Sequence, residues 1–392
     1  MVDACSCDPI MSRGAGTRAS PKKRPARDPI ATAARLHAEA LKLHAEGRFE
    51  EARARCARSL HLIERLSGQP GAGVANILNT YGAIHQDLGS YTEAEAIFRR
   101  SAAIAETLSG DGADLERLRV RSLSHLADII RVQGRYREAE LLFDRALSLA
   151  EAAFGPHDLH VCSVLNGWAV SCKYSGRFDD AERLYRRALE IMERALGPEH
   201  AEIATVYHNL GGLEYSRGRY AAGEPHARRS VEIREKALGE SHPEVAGDLA
   251  ALAAILDAQD QHEEAEELYQ RALHIFESQL GQESYAVAVN LNNLAALHYR
   301  RGNSLLAEAF YWWALHLKEK ILGRGHPDTA MTLNNLAVLF RSQGKLKQAA
   351  RLFRRALDIF ENTLDSDHPS ALMCRANYEE LQQEMSKTSS DG

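Results

Sequence analysis

Gly176-Arg-Phe-Asp-Asp-Ala-Glu-Arg-Leu-Tyr-Arg-Arg-Ala-Leu-Glu-Ile-Met-Glu-Arg-Ala-Leu-Gly197 opens on a turn, closes on a glycine, and is patterned between them as one helix. Ala181, Leu184, Tyr185 and Ala188 recur at helical spacing and build one apolar face. Asp179-Asp180 falls in the first turn, where the positive end of the helix dipole favours a carboxylate. The opening phrase, a glycine followed two residues on by an aromatic ring, returns at Gly47-Arg-Phe49, Gly89-Ser-Tyr91, Gly134-Arg-Tyr136 and Gly218-Arg-Tyr220. It continues in degenerate form at Asp260-Gln-His262, Gly302-Asn-Ser304 and Gly344-Lys-Leu346. Successive turns lie 42 residues apart, except Gly89 to Gly134, which lie 45 apart. The three extra residues are expected in the loop around Asp111-Gly112-Ala113. Intervals this regular mark a repeat array.

Ahead of each turn lies a second helix. Leu333, Leu336, Ala337 and Phe340 give it an apolar stripe at i, i+3, i+4 and i+7, as do Leu249, Leu252, Ala253 and Leu256. Each unit is therefore a helix A, a turn and a helix B. Small residues on helix B (Ala181 and Ala188, Ala265 and Ala272, Ala307 and Ala314, Ala349 and Ala356) mark where two helices approach closely. Helix B stops at a glycine 21 residues past the turn: Gly68, Gly110, Gly155, Gly197, Gly239, Gly281 and Gly323. Glycine there accepts the positive φ of a helix end. His-Pro follows at His242-Pro243, His326-Pro327 and His368-Pro369, with proline suited to the first helical turn. A single hairpin cannot bury its stripe alone, so the units must stack.

The expected fold is all-α: a right-handed α-solenoid of about eight hairpins over 29–364, with a C-terminal capping helix over 365–386. Residues 1–28, which include Lys22-Lys23-Arg24, and residues 387–392 lack periodicity and are expected to be disordered. The fifth unit departs from the pattern. It carries Gly223, His226 and Ala227 at the usual Ala, Leu and Tyr positions, and Pro225 beyond the first turn. A kinked or shortened helix B is expected near 220–228. Of Trp312-Trp313, one indole is expected in the core and the other on the convex side.

Charged residues make up 26% of the chain and the net charge is −6, which gives no general attraction to nucleic acid or anionic membrane. No apolar run is long enough for a membrane span. Cys56, Cys162, Cys172 and Cys374 lack metal-ligand spacing and read as small buried hydrophobes of a reducing compartment. Cys5-x-Cys7 lies in the basic tail. A cytoplasmic location follows as an expectation. The close histidine pairs, His157 with His160 and His37 with His44, lack a third ligand and the i, i+4 spacing of a zinc helix. There is no phosphate loop and no nucleophile elbow. No catalysis, metal or cofactor is expected.

The units resemble tetratricopeptide repeats of the kinesin light chain type. The resemblance rests on Leu291-Asn-Asn-Leu-Ala295 and Leu333-Asn-Asn-Leu-Ala337 in helix A, Ala181-Glu-Arg-Leu-Tyr-Arg-Arg-Ala-Leu-Glu-Ile191 in helix B, and Leu238-Gly-Glu-Ser-His-Pro243 at the junction. Nothing in the sequence plays the part of the coiled coil that precedes those repeats in kinesin light chain.

The resemblance implies that the outer face of helix A lines a concave groove. Relative to the turn glycine, its slots are −13, −10, −6, −3 and −2. At −10 stand Asn79, Asn166, His208, Asn292 and Asn334, and the resemblance implies that such asparagines bind the backbone of an extended peptide. An amide can donate and accept together, as a peptide unit requires. The other slots hold Asp128, Arg131, Lys173, Tyr174, Tyr215, Tyr299, Arg300 and Arg341, a cationic and aromatic set of the kind that dominates interfaces. The −9 asparagines Asn209, Asn293, Asn335 and Asn377 are expected to bridge neighbouring repeats instead, an alternative that stands for the −10 set too. The sixth unit, with Gly247, Ala250, Ala254 and Ala258, offers an almost bare groove wall.

The expected function is a protein-interaction scaffold gripping a peptide or small domain with acidic and apolar residues. The alternative is a regulatory sensor binding a small ligand or RNA. Nucleic acid is the weaker of these, because stacking platforms occupy only three units. Oligomeric state is not legible in the sequence.

Overall fold

The computed structural model describes residues 28–67, 70–110, 112–365 and 367–390. Among them are seventeen α-helices and no strand. They alternate as helices A and B of eight hairpins, from α1 (Pro29–Ala45) and α2 (Phe49–Ser67) to α15 (Pro327–Ser342) and α16 (Leu346–Thr363). The last, α17 (Pro369–Ser390), stands alone and runs beyond the end expected at 386. The basic tail, Gly68, Asp111, Cys5 and Cys7 lie outside the described residues.

Local chemistry accounts for the boundaries. Each turn glycine takes a positive φ, for example Gly47 at 72° and Gly344 at 72°, and Asp260 takes 61° in the unit that lacks the glycine. The stop glycines Gly155, Gly197, Gly239, Gly281 and Gly323 also have positive φ. The histidine of His-Pro has a further role. His242, His326 and His368 accept a backbone N–H from the residue two positions on, at 3.2, 3.0 and 3.2 Å, through Nδ1. His200 does the same ahead of α9 (Ala201–Ser216) without a proline. Histidine is the N-cap here, as Ser or Asp is elsewhere.

The small residues of helix B are fully buried, among them Ala181, Ala188, Ala265, Ala272, Ala307, Ala314, Ala349 and Ala356. Tyr185 and Tyr269 fill the space between them. Four clusters of buried side chains follow in chain order, and Phe310 packs against the last two. Cys56, Cys162, Cys172 and Cys374 are buried free thiols, and burial pushes Cys56 and Cys374 up to about 12.

Three expectations are corrected. The insertion between the second and third turns is not a loop: α5 (Ala113–Val132) has 20 residues where α3 (Ala72–Asp87) has 16, so the extra residues form another helical turn. Helix α10 (Tyr220–Leu238) is neither shortened nor interrupted, and Pro225 lies inside it. The first turn is satisfied by Ala222 and Gly223, which both donate to the Arg219 carbonyl. Packing compensates, because a Cβ on Gly223 would fall 3.0 Å from the Gly211 carbonyl oxygen of α9. Gly211 also lies against Ala227, which stands where most other hairpins carry a Phe or Tyr ring. Finally, neither tryptophan is in the core, as Trp312 and Trp313 are 44% and 42% exposed.

The solenoid returns on itself. A Cβ on Gly89, in the second hairpin turn, would fall 2.7 Å from His326 Cδ2 at the start of α15. One on Gly134, in the third, would fall 3.4 Å from His368 Cδ2 before α17. Hairpins far apart in sequence thus meet across one turn of the coil, and Tyr285 bonds Asp328 beside that seam. No helix of the described residues is long and apolar enough to cross a membrane.

Candidate binding groove

The strip running along the A helices at −13, −10, −6, −3 and −2 is the face they leave partly exposed, as Val289, Asn292, Ala296, Tyr299 and Arg300 show on α13 (Tyr285–Arg300). Its asparagines are nevertheless bonded along the array. Asn209 donates to Asn166 at 2.7 Å, Asn335 to Asn292 at 3.4 Å, and Asn377 to Asn334 at 3.1 Å. Each is a −9 amide of one repeat reaching the −10 oxygen of the repeat before. Asn79 and Asn334 are buried at 4% and 2% exposure, and Asn79 donates to Ser122 Oγ. Asn166 and Asn292 stay partly exposed, and their Nδ2 groups donate no hydrogen bond among the described residues.

Several charged candidates are also engaged. Arg300 pairs with the buried Asp257 of the preceding repeat, at the foot of the bare wall of Gly247, Ala250, Ala254 and Ala258. Arg341 holds Glu380 and Glu384 of α17, with Nε 3.0 Å from Glu384. His208 Nδ1 lies 2.7 Å from the buried Asp248, which is also 2.7 Å from Arg234. Tyr299 is half-buried against the last core cluster.

What remains converges on α5, α7 (Leu159–Tyr174) and α9. The Arg131 guanidinium and the Lys173 ammonium lie 5.5 and 5.0 Å from the ring centre of Tyr174. Tyr174 is 58% exposed, and Tyr215 on the next helix is exposed and leans on Tyr220 at 5.3 Å. One carboxylate, Asp128, answers Arg131 at 3.3 Å. Lys173 has no ion pair among the described residues, and its Nζ lies over Gly212, where a Cβ would be 3.8 Å away. Burial, then the neighbouring Arg131, pull the Lys173 pKa down. Burial raises that of Asp128. Two cations against one carboxylate, with a ring between them, form a place for an anion beside an apolar group.

A second part of the groove was not singled out by sequence. Residues from the first three hairpins, among them His37, Asn76, Thr80, Arg121 and His125, line a cavity of about 570 Å3. His37 Nε2 meets Thr80 Oγ1 at 2.8 Å, and Arg121 bonds Asn76. Burial holds His37 below its ordinary pKa, and pulls His125, stacked on Phe98, down to about 4. His37 occupies slot −10, and Asn76 and Arg121 occupy slot −13, so the register would have found all three. No group of three metal-ligating side chains occurs among the described residues.

The repeat phrases, the hairpin geometry and the inner strip converge on one family, and its model for the tetratricopeptide repeat matches residues 29–111, 118–194, 160–222, 202–278 and 286–362. The chain belongs to the tetratricopeptide-repeat family. Among solved structures, BtubC (BKLC) from P. vanneervenii is similar at 24% identity, over 64% of this chain and 91% of that one, with a TM-score of 0.46. A kinesin light chain-like repeat protein of Podospora anserina is similar at 21% identity, over 54% of this chain and 99% of that one, with a TM-score of 0.43. The apo form of RapI is similar at 14% identity and a TM-score of 0.53, over 74% of this tetratricopeptide-repeat chain and 98% of that one, and bears on the fold alone. A comparison with curated proteins returns no match.

Proposed function

We propose that this tetratricopeptide-repeat protein is a scaffold that holds an extended peptide along its inner strip and anchors an acidic side chain at Lys173 and Arg131. The single supporting observation is the unbalanced cationic cluster around the exposed Tyr174. A ligand carboxylate there would meet charge-assisted donors in a partly desolvated site, and an adjacent apolar residue would lie on the tyrosine. Asn166 and Asn292 supply amide donors toward the peptide backbone. The remaining asparagines hold the register of the wall. The function requires no cofactor, and the buried free thiols fit a reducing, cytoplasmic setting.

Affinity capture followed by mass spectrometry tests this. Lys173→Glu, at a half-buried position on the groove wall, and Tyr174→Ala, at an exposed one, should leave helical content intact while removing the partners retained by wild type. An unchanged partner set would move the site elsewhere. Salt-sensitive retention of RNA, lost in Lys173→Glu, would replace the peptide with nucleic acid.

A further inference from the structure

The outer surface of the B helices carries a charge ladder with one interruption. Eleven residues after each turn stands an arginine: Arg58, Arg100, Arg145, Arg187, Arg229, Arg271 and Arg355. From the second hairpin on, these arginines pair with a glutamate earlier in the chain. Arg100 meets Glu64 at 2.5 Å, Arg145 meets Glu106 at 3.0 Å, Arg271 meets Glu235 at 2.7 Å and Arg355 meets Glu319 at 2.5 Å. In α14 (Ser304–Leu322) the same position is Trp313. Around it Leu305 is 85% exposed, Leu306 49% and Trp312 44%, and Ala309 is also exposed. Leu305, Ala309, Trp312 and Trp313 follow helical spacing, so they form one apolar stripe on the outside of the molecule.

The flanks of this stripe have opposite charge. Three residues after the turn, the row across α12 (His262–Leu280), α14 and α16 reads Glu263, Leu305, Lys347. Seven residues after the turn it reads Glu267, Ala309, Arg351. All six side chains are exposed. Glu267, Lys347 and Arg351 form no ion pair among the described residues, and Glu263 has only a 3.5 Å contact with Arg301.

We infer that this face is a homodimer interface in which a second copy of the chain covers the α14 stripe. The charge pattern selects the geometry. A two-fold axis parallel to α14 sets the stripe against its own copy and swaps the flanks. Glu263 then faces the second copy's basic flank at Lys347, and Glu267 faces that flank at Arg351, twice over by symmetry. A two-fold axis across α14 would instead oppose acidic with acidic and basic with basic. The stripe supplies the dry centre, with two tryptophans of the type that dominates such centres, and the flanks supply orientation.

Light scattering and sedimentation of the full chain over a range of concentration and salt test the proposal. Wild type is expected to dimerise, and more weakly as salt rises. Trp313→Arg restores the residue of the other repeats, opposite Glu277, and is expected to fold normally yet weaken the dimer about ten-fold or more. Glu263→Lys with Glu267→Arg is expected to weaken it too. Adding Lys347→Glu and Arg351→Glu in the same chain is expected to restore it. A wild type that stays monomeric at its highest soluble concentration overturns the proposal, as does a dimer indifferent to Trp313→Arg. Failure of the four-fold charge swap to restore dimerisation overturns the parallel pairing. Peptide capture at Lys173 lies on the opposite layer, so its loss and loss of the dimer are separable.

Discussion

His326 and His368 accept a backbone N–H at Nδ1, so each caps its helix only while that nitrogen is unprotonated. Burial depresses both, and depresses His125 to about 4. In the unfolded chain a histidine titrates near about 6.5. The unfolded state therefore binds more protons below that pH, and the stabilisation present above it is lost as pH falls toward the folded values. The melting temperature is expected to fall steeply between pH 6.5 and about 4. Replacing His326 and His368 together by Asn keeps a strong N-cap without the titration, and should flatten that dependence in differential scanning calorimetry. Asn209, Asn335 and Asn377 bridge repeats as their place near the helix seam implies, whereas Asn293 faces Ala250 at the −10 position of the preceding repeat and makes no such bridge among the described residues. The −10 amides share those bridges, and that pairing depends on rotamers and on the offset between repeats, which spacing along one helix does not encode.

Helix α10 was expected to kink or shorten because Pro225 removes a backbone donor; it is not shortened, and α9 lies against it backbone to backbone. The compensation was partly legible: Gly223 and Ala227 replace larger residues, and Gly211 lies opposite on α9. Helical propensity alone says that alanine at Gly223 should stabilise by about 1 kcal/mol. The packing says the reverse, since its Cβ would sit 3.0 Å from the Gly211 carbonyl oxygen and 3.2 Å from Glu214 Cβ. Gly223→Ala is expected to destabilise by roughly 1–3 kcal/mol in urea unfolding. At the far end, Arg341 ties α15 to α17 through Glu380 and Glu384. Exchange of α17 amides in Arg341→Ala should quicken by roughly three- to ten-fold, while α13 is unaffected.

The repeat length was plain in the residues, and with it the hairpins, their number and their stacking. The return of the coil upon itself was not. It sums small rotations between hairpins, each set by side-chain volumes at the seams. Two turn glycines carry the consequence. Gly89 and Gly176 have φ of 71° and 77°, but only a Cβ on Gly89 would strike another turn of the coil, at His326. Asparagine tolerates such φ values, so Gly89→Asn and Gly176→Asn impose the same local demand. Small-angle scattering should show an expanded particle for Gly89→Asn alone.

Stacking in a common register leaves the inner strip of the A helices open, and we propose that a partner takes it. A photocrosslinking residue at Tyr174, on that strip, can be compared with one at Arg183, exposed on the outer face of α8 (Phe178–Leu196). Captured partners are expected to crosslink from position 174 and not from 183. Crosslinks from 183 with none from 174 would contradict the proposal.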